Sequence, residues 1–146
     1  MFLQYRQLSP QERRDAWAAL LRLTIVRVSL LFGMGFTRRW LGGRAEPRPL
    51  NASRTELEHW RSRATALKRA SRFVPGSHCL ARSLALRWWM RSHGLNAEAV
   101  IGVRRDQARS ESHAWVMLGQ RPIDESDDIL SRYIIIFPET VAESEC

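Results

Sequence analysis

The sequence predicts an α+β fold, helices first and an antiparallel meander after them, on three observations. Apolar residues recur at helical spacing in three segments that end by Ser92. Beyond Gly94 the pattern changes to short runs of extended chain. Cap and turn residues stand at the joins: Ser9-Pro10, Ser53, Pro75-Gly76, Gly94 and Gly119-Gln120.

The first helix opens at "LSPQERRDAW", where Ser9 is the N-cap, Pro10 the first helical residue and Glu12 the partner in an S-x-x-E capping box. Trp17, Leu20, Leu21, Ile25, Val28, Leu31 and Phe32 then recur at helical spacing, and Gly33 and Gly35 mark the end. The run from Ala16 to Phe36 is long enough to raise a membrane span. Arg22 and Arg27 within it would each cost roughly 2.5–3.5 kcal/mol at a bilayer centre, which argues against spanning and leaves a core helix or an interfacial one. "GGRAEPRPLNAS", Gly42 to Ser53, reads as a linker. Residues 1–52 are thus an N-terminal helical segment with its linker and 53–146 the core, in one compact unit.

A second capping box, Ser53 to Glu56, opens a helix with Leu57, Trp60, Ala64 and Leu67 on one face and arginines elsewhere. Pro75-Gly76 stops it. The third helix runs from Cys79 to Ser92 with Leu80, Leu84, Trp88 and Met90 inward and Gly94 as its stop. Asn96–Val103, His113–Leu118 and Arg121–Glu125 read as strands, the last two joined at Gly119-Gln120. Tyr133–Phe137 is a further strand or a buried extended segment.

The 146 residues suit one domain, and 45% hydrophobic with 26% charged residues excludes wholesale disorder. No secretory signal opens the chain, and two cysteines, one of them the last residue, make no disulfide framework, so a reducing cytoplasmic setting is expected. The net charge of +8 is uneven: residues 1–78 hold 15 Lys+Arg against 5 Asp+Glu, and residues 79–146 hold 8 against 10. A basic half suits an acidic peptide, an anionic membrane surface or an arginine-rich solvated face. No nucleic-acid-binding motif accompanies it, so no nucleic-acid partner is expected.

The chemistry centres on Cys79, placed at a helix start. A thiolate is the nucleophilic form, and the positive end of a helix dipole favours negative charge. His113 opens a strand 34 residues later, and Asp124 ends its hairpin partner. Cysteine, base and orienting acid on helix, strand and strand form a coherent triad. The alternatives are a cysteine that only packs, a histidine that only edges a strand, and an acid that is Glu125, Asp127 or Asp128 instead. Cys79, His78, His93 and His113 lack the paired spacings of a zinc site, so no metal is expected.

"CLARSLALRWWMRSHGLNAEAVIGVRRD" followed by "HAWVMLGQRPID" resembles the transglutaminase-like cysteine proteases that remove leaders in lasso peptide biosynthesis. The likeness runs from about Leu57 to Asp128 and rests on Cys79, Leu80, Gly94, Ile101, Gly102, Val103, His113, Ala114, Trp115, Val116, Gly119 and Asp124. It implies a papain/transglutaminase-like architecture, the Cys79 helix packed on an antiparallel sheet that carries His113 and Asp124. It also implies hydrolysis of a ribosomally made precursor peptide by a Cys79, His113, Asp124 triad, with no cofactor. With no room for a fused winged-helix leader-binding domain, the expected form is a stand-alone peptidase that works with a separate leader-binding protein and a macrolactam-forming cyclase. Rivals on the same residues are an acyltransferase and a non-catalytic peptide-binding module.

Overall fold

A computed structural model describes residues 9–41, 53–106 and 109–137. In chain order these form α1 (Pro10–Leu30), α2 (Met34–Trp40), α3 (Arg54–Ala70), α4 (Cys79–Ser92), β1 (Ala97–Asp106), β2 (Arg109–Leu118), β3 (Arg121–Pro122), α5 (Ile129–Arg132) and β4 (Ile134–Phe137). The strands make one antiparallel sheet in the order β3-β2-β1-β4. The fold is α+β.

The Ser9 box forms fully: Ser9 Oγ accepts from Glu12 N–H, and Glu12 accepts from Ser9 N–H at 2.8 Å. Ser53 caps α3 through Glu56 N–H at 3.2 Å. At the end of α4, Gly94 takes φ +81°, and the amides of Gly94 and Leu95 bond back to Arg91 and Met90. That left-handed residue is what a Schellman closure requires, and it turns the chain so that β1 returns beside α4. Arg91 fixes the return by donating to Ala97 O at 3.0 Å and pairing with Glu98, which also pairs with Arg87 at 3.4 Å.

One hydrophobic cluster joins α1 (Ala19, Leu23, Val26), α3 (Leu57, Trp60, Leu67), α4 (Leu84, Ala85, Leu86, Trp89, Met90) and one face of the sheet (Val116, Leu118). A second, on the opposite sheet face, gathers Val100, Trp115, Met117, Ile129 and Tyr133. Gly102 belongs to this second face through close approach: a Cβ there would lie 2.5 Å from the Trp115 ring. The strand can hold only glycine at that point.

Several expectations are corrected. Most of the apolar stripe read along α1 points outward: Trp17 is 64% exposed and Phe32, just past the helix end, 73%, while Asp15, Ala19, Leu23, Val26 and Ser29 face the core. Arg22 and Arg27 also serve the packed side. The Arg22 guanidinium lies 4.7 Å from the Trp89 ring centroid, and Arg27 Nε donates to Pro75 O. In α4 the buried indole is Trp89, with Trp88 only half-buried. Gly33 opens the short α2 after the first helix has closed at Leu30. β1 and β2 extend past the expected strands, α5 is an added helical turn, and β3 covers only two residues. Most of the expected linker, residues 42–52, lies outside the described residues, as does Cys146. Among the described residues no helix is long and apolar enough to cross a membrane.

Candidate active site

Cys79 is the first residue of α4 and is half-buried. The N-cap, His78, has extended backbone and its side chain makes no capping hydrogen bond. No acidic residue occupies the first turn. The amides of that turn have no side-chain cap, and Cys79 is the first residue of the turn they open.

His113 sits on β2 opposite Gly102 on β1. Its height relative to Cys79 follows from the α4–β1 clamp. Arg87 and Glu98 are in contact. Cys79 lies eight residues back along the helix, about 12 Å, and Gly102 four residues on along the strand, about 13 Å. Cys79 and His113 thus occupy the same end of the helix–sheet layer. The imidazole lies on the face opposite α4, 6.2 Å from Trp115 and 5.8 Å from Tyr133 between ring centroids. Thiol and imidazole are not hydrogen-bonded to each other among the described residues.

A carboxylate holds the imidazole, and it belongs to Glu125: Nε2 and Oε1 are 2.8 Å apart. A carboxylate can only accept, so the proton sits on Nε2 and the Nδ1 lone pair is left as the base. Asp124, which the sequence favoured for this contact, instead accepts from Val116 N–H at 2.8 Å through Oδ1. Adjacent residues leave the chain on different sides, and here β3 is so short that Asp124 turns back onto β2 while Glu125 reaches round to His113. Burial raises the Asp124 carboxyl from its ordinary 3.8 to about 6, against the lowering effect of its Val116 hydrogen bond and of nearby His113. Asp127 and Asp128 stand apart, against Arg61 at 3.9 Å and Arg132 at 3.1 Å.

Asp124 and Glu125 line a small open cleft of about 30 Å³ together with Ala64, Leu67, Lys68, Arg82, Leu86 and Ala114. Its apolar floor carries two cations on the helical wall and two carboxylates on the other. Arg82 lies three residues after Cys79, so helical spacing puts both on one side of α4. Sequence reasoning missed this arginine, although that spacing was its signal. Of the arginines on α3, Arg63 is withdrawn from the surface, paired with Asp15 at 3.5 Å and stacked on Trp60 and Trp89. No cluster of metal-ligating side chains occurs among the described residues.

Residues 19–137 match the family described as the transglutaminase-like superfamily, which spans most of the chain. The chain belongs to that superfamily, whose fold is of the cysteine protease and acyltransferase type. No curated protein and no solved structure matches the chain.

Proposed function

We propose that this protein is a cysteine peptidase that removes the leader from a ribosomally made lasso precursor peptide, freeing the core's amino terminus for a macrolactam-forming cyclase. The observation that carries the reading is an imidazole held by a carboxylate at 2.8 Å, level with a helix start that presents Cys79. The lasso assignment rests on the Cys79-Leu80 and His113-Ala114-Trp115-Val116 motifs. A separate winged-helix protein captures the leader, and the reaction takes place in a reducing, cytoplasmic setting.

In this mechanism Cys79 gives its proton to Nδ1 of His113, and the thiolate adds to the scissile carbonyl carbon. The C–N bond breaks as the imidazolium protonates the departing amine, leaving a thioester on Sγ. Water, deprotonated by the same Nδ1, attacks that thioester; the C–S bond breaks and the leader leaves as a carboxylic acid. Glu125 holds the ring and stabilises the imidazolium throughout. The contact between thiol and ring, which are not hydrogen-bonded in the free protein, forms in this mechanism when substrate binds, since catalytic hydrogen bonds commonly tighten only in the complex.

The test is cleavage of a precursor by the full chain with its leader-binding partner, read by mass spectrometry. Products gaining one water support hydrolysis; a product gaining an amine makes the enzyme an acyltransferase. Cys79→Ala and His113→Ala must each abolish turnover while circular dichroism stays unchanged. Glu125→Gln is expected to lower kcat by about 10²–10⁴, comparable to loss of an orienting carboxylate elsewhere, and Asp124→Asn by less. The reverse order would return the orienting role to Asp124.

A further inference from the structure

From Trp17 onward the outward face of α1 carries large apolar residues, interrupted at Thr24, and the turn after it and α2 continue them. Trp17, Leu21 and Val28 are exposed on α1, Leu31 and Phe32 on the turn that follows it, Phe36 and Trp40 on α2. From Trp17 to Phe32 the stripe runs about 22 Å along the helix axis. Phe32, Phe36 and Trp40 continue it as contiguous rings, with centroids 5.7 Å and 6.0 Å apart. Scattered exposed apolar residues need no explanation, but seven large ones gathered along α1, the turn and α2 mark a contact surface.

Charge identifies what it contacts. Residues 9–41 contain six arginines against only Glu12 and Asp15. Asp15 is paired with Arg63, and Glu12 is committed to the Ser9 cap. Exposed Arg14 and Arg39 stand near the two ends of the ridge, and exposed indoles, Trp17 and Trp40, lie beside them. A second copy of this face would bring arginines against arginines, which disfavours self-pairing. Exposed apolar residues accompanied by indoles and arginines are what a helix lying on a lipid surface offers: apolar side chains to the acyl boundary, indoles to the interfacial belt and cations to anionic headgroups.

We propose that the α1–α2 face seats this protein on an anionic membrane surface, with α1 lying in the plane of the interface. The proposal is independent of the peptidase reading and holds for an inactive Cys79→Ala protein.

Flotation of the full chain with phosphatidylcholine vesicles, with and without one third phosphatidylglycerol, tests it. Binding to the anionic vesicles is expected to exceed binding to the neutral ones by at least about tenfold at low salt. The double variant Leu21→Glu with Phe32→Glu alters only exposed positions, so it should keep its fold and lose at least about tenfold in binding. Arg54→Glu with Arg61→Glu on α3 serves as the charge control and should change binding little. Three results would overturn the proposal: no binding to anionic vesicles, equal binding to both kinds, or an α3 control that loses as much as the α1 double variant. A stable dimer that the α1 substitutions dissociate would assign the ridge to self-association instead.

Discussion

Helices α1 and α3 pack against each other and both open on a serine cap three residues before a glutamate, yet they turn different kinds of residue inward. α3 buries Leu57, Trp60, Ala64, Leu67 and Ala70 and exposes most of its arginines. α1 buries Asp15, Ala19, Leu23, Val26 and Ser29 and exposes its bulkiest apolar side chains. The inversion is tolerable because Leu23 and Val26 still fill the core from its inner side and because the arginines beside it have aromatic partners. Arg22 and Arg63 lie over Trp88, Trp89 and Trp60, at 4.6–5.5 Å from the ring centroids, and Arg63 also meets Asp15. A guanidinium can give its flat face to an indole and its edge to a carboxylate, so it packs inside where an ammonium would not. Periodicity locates the stripe of a helix; only the partners decide whether that stripe faces in.

The sharpest contrast should come from Trp60→Ala. That indole is 3% exposed between α3 and α4, and its removal should cost about 3–5 kcal/mol in urea unfolding. A loss of less than 1 kcal/mol would mean that α3 is not the anchoring helix.

Asp124→Asn asks what a partly enclosed polar group costs elsewhere in the same fold. Native Asp124 holds its proton up to about pH 6, whereas the unfolded chain releases it near 3.8. The folded state therefore binds more protons in that interval, and stability falls as pH rises through it, by up to about 3 kcal/mol. The asparagine variant should lack this decline and unfold no more easily than the parent at pH 7. Parallel stability profiles from pH 4 to 6 would refute the burial assigned to this carboxyl.

Asp15→Ala is expected to destabilise by about 1–3 kcal/mol, because it leaves Arg63 enclosed with only ring contacts. A neutral result would show that the indoles suffice, and that the polar inner side of α1 owes nothing to its ion pair. The smallest effect belongs to Leu21→Ala and Phe32→Ala, each within about 0.5 kcal/mol. If either cost as much as Trp60→Ala, α1 would be packed the other way round.

What the sequence made legible was local chemistry. Ser9 with Glu12, Ser53 and Gly94 announced their caps because a cap depends on residues within one turn. The helix-opening Cys79 was readable for the same reason, whereas His113, read as the start of a strand, lies inside β2. The inward choice of Trp89 over Trp88 was not, since neighbouring indoles differ only by a rotation that tertiary packing sets. Nor was the contact of Glu125 with His113, because two consecutive carboxylates are equivalent until the length of β3 is known. The arm of β1 and β2 beyond Val103 is rich in Arg, Ser and Glu and carries no apolar alternation to betray a strand; cross-strand pairing alone defines it.

One feature of the cleft makes it chemically addressable. Lys68 is exposed on its wall and is the only lysine in all 146 residues. Apart from the chain's own amino terminus, an amine-selective reagent finds one side-chain target, beside the carboxylates of Asp124 and Glu125. A fluorophore or photo-crosslinker attached there would sit at the mouth of the cleft, and a peptide lying in it would be reported by quenching or captured covalently, with no engineered cysteine to compete with Cys79.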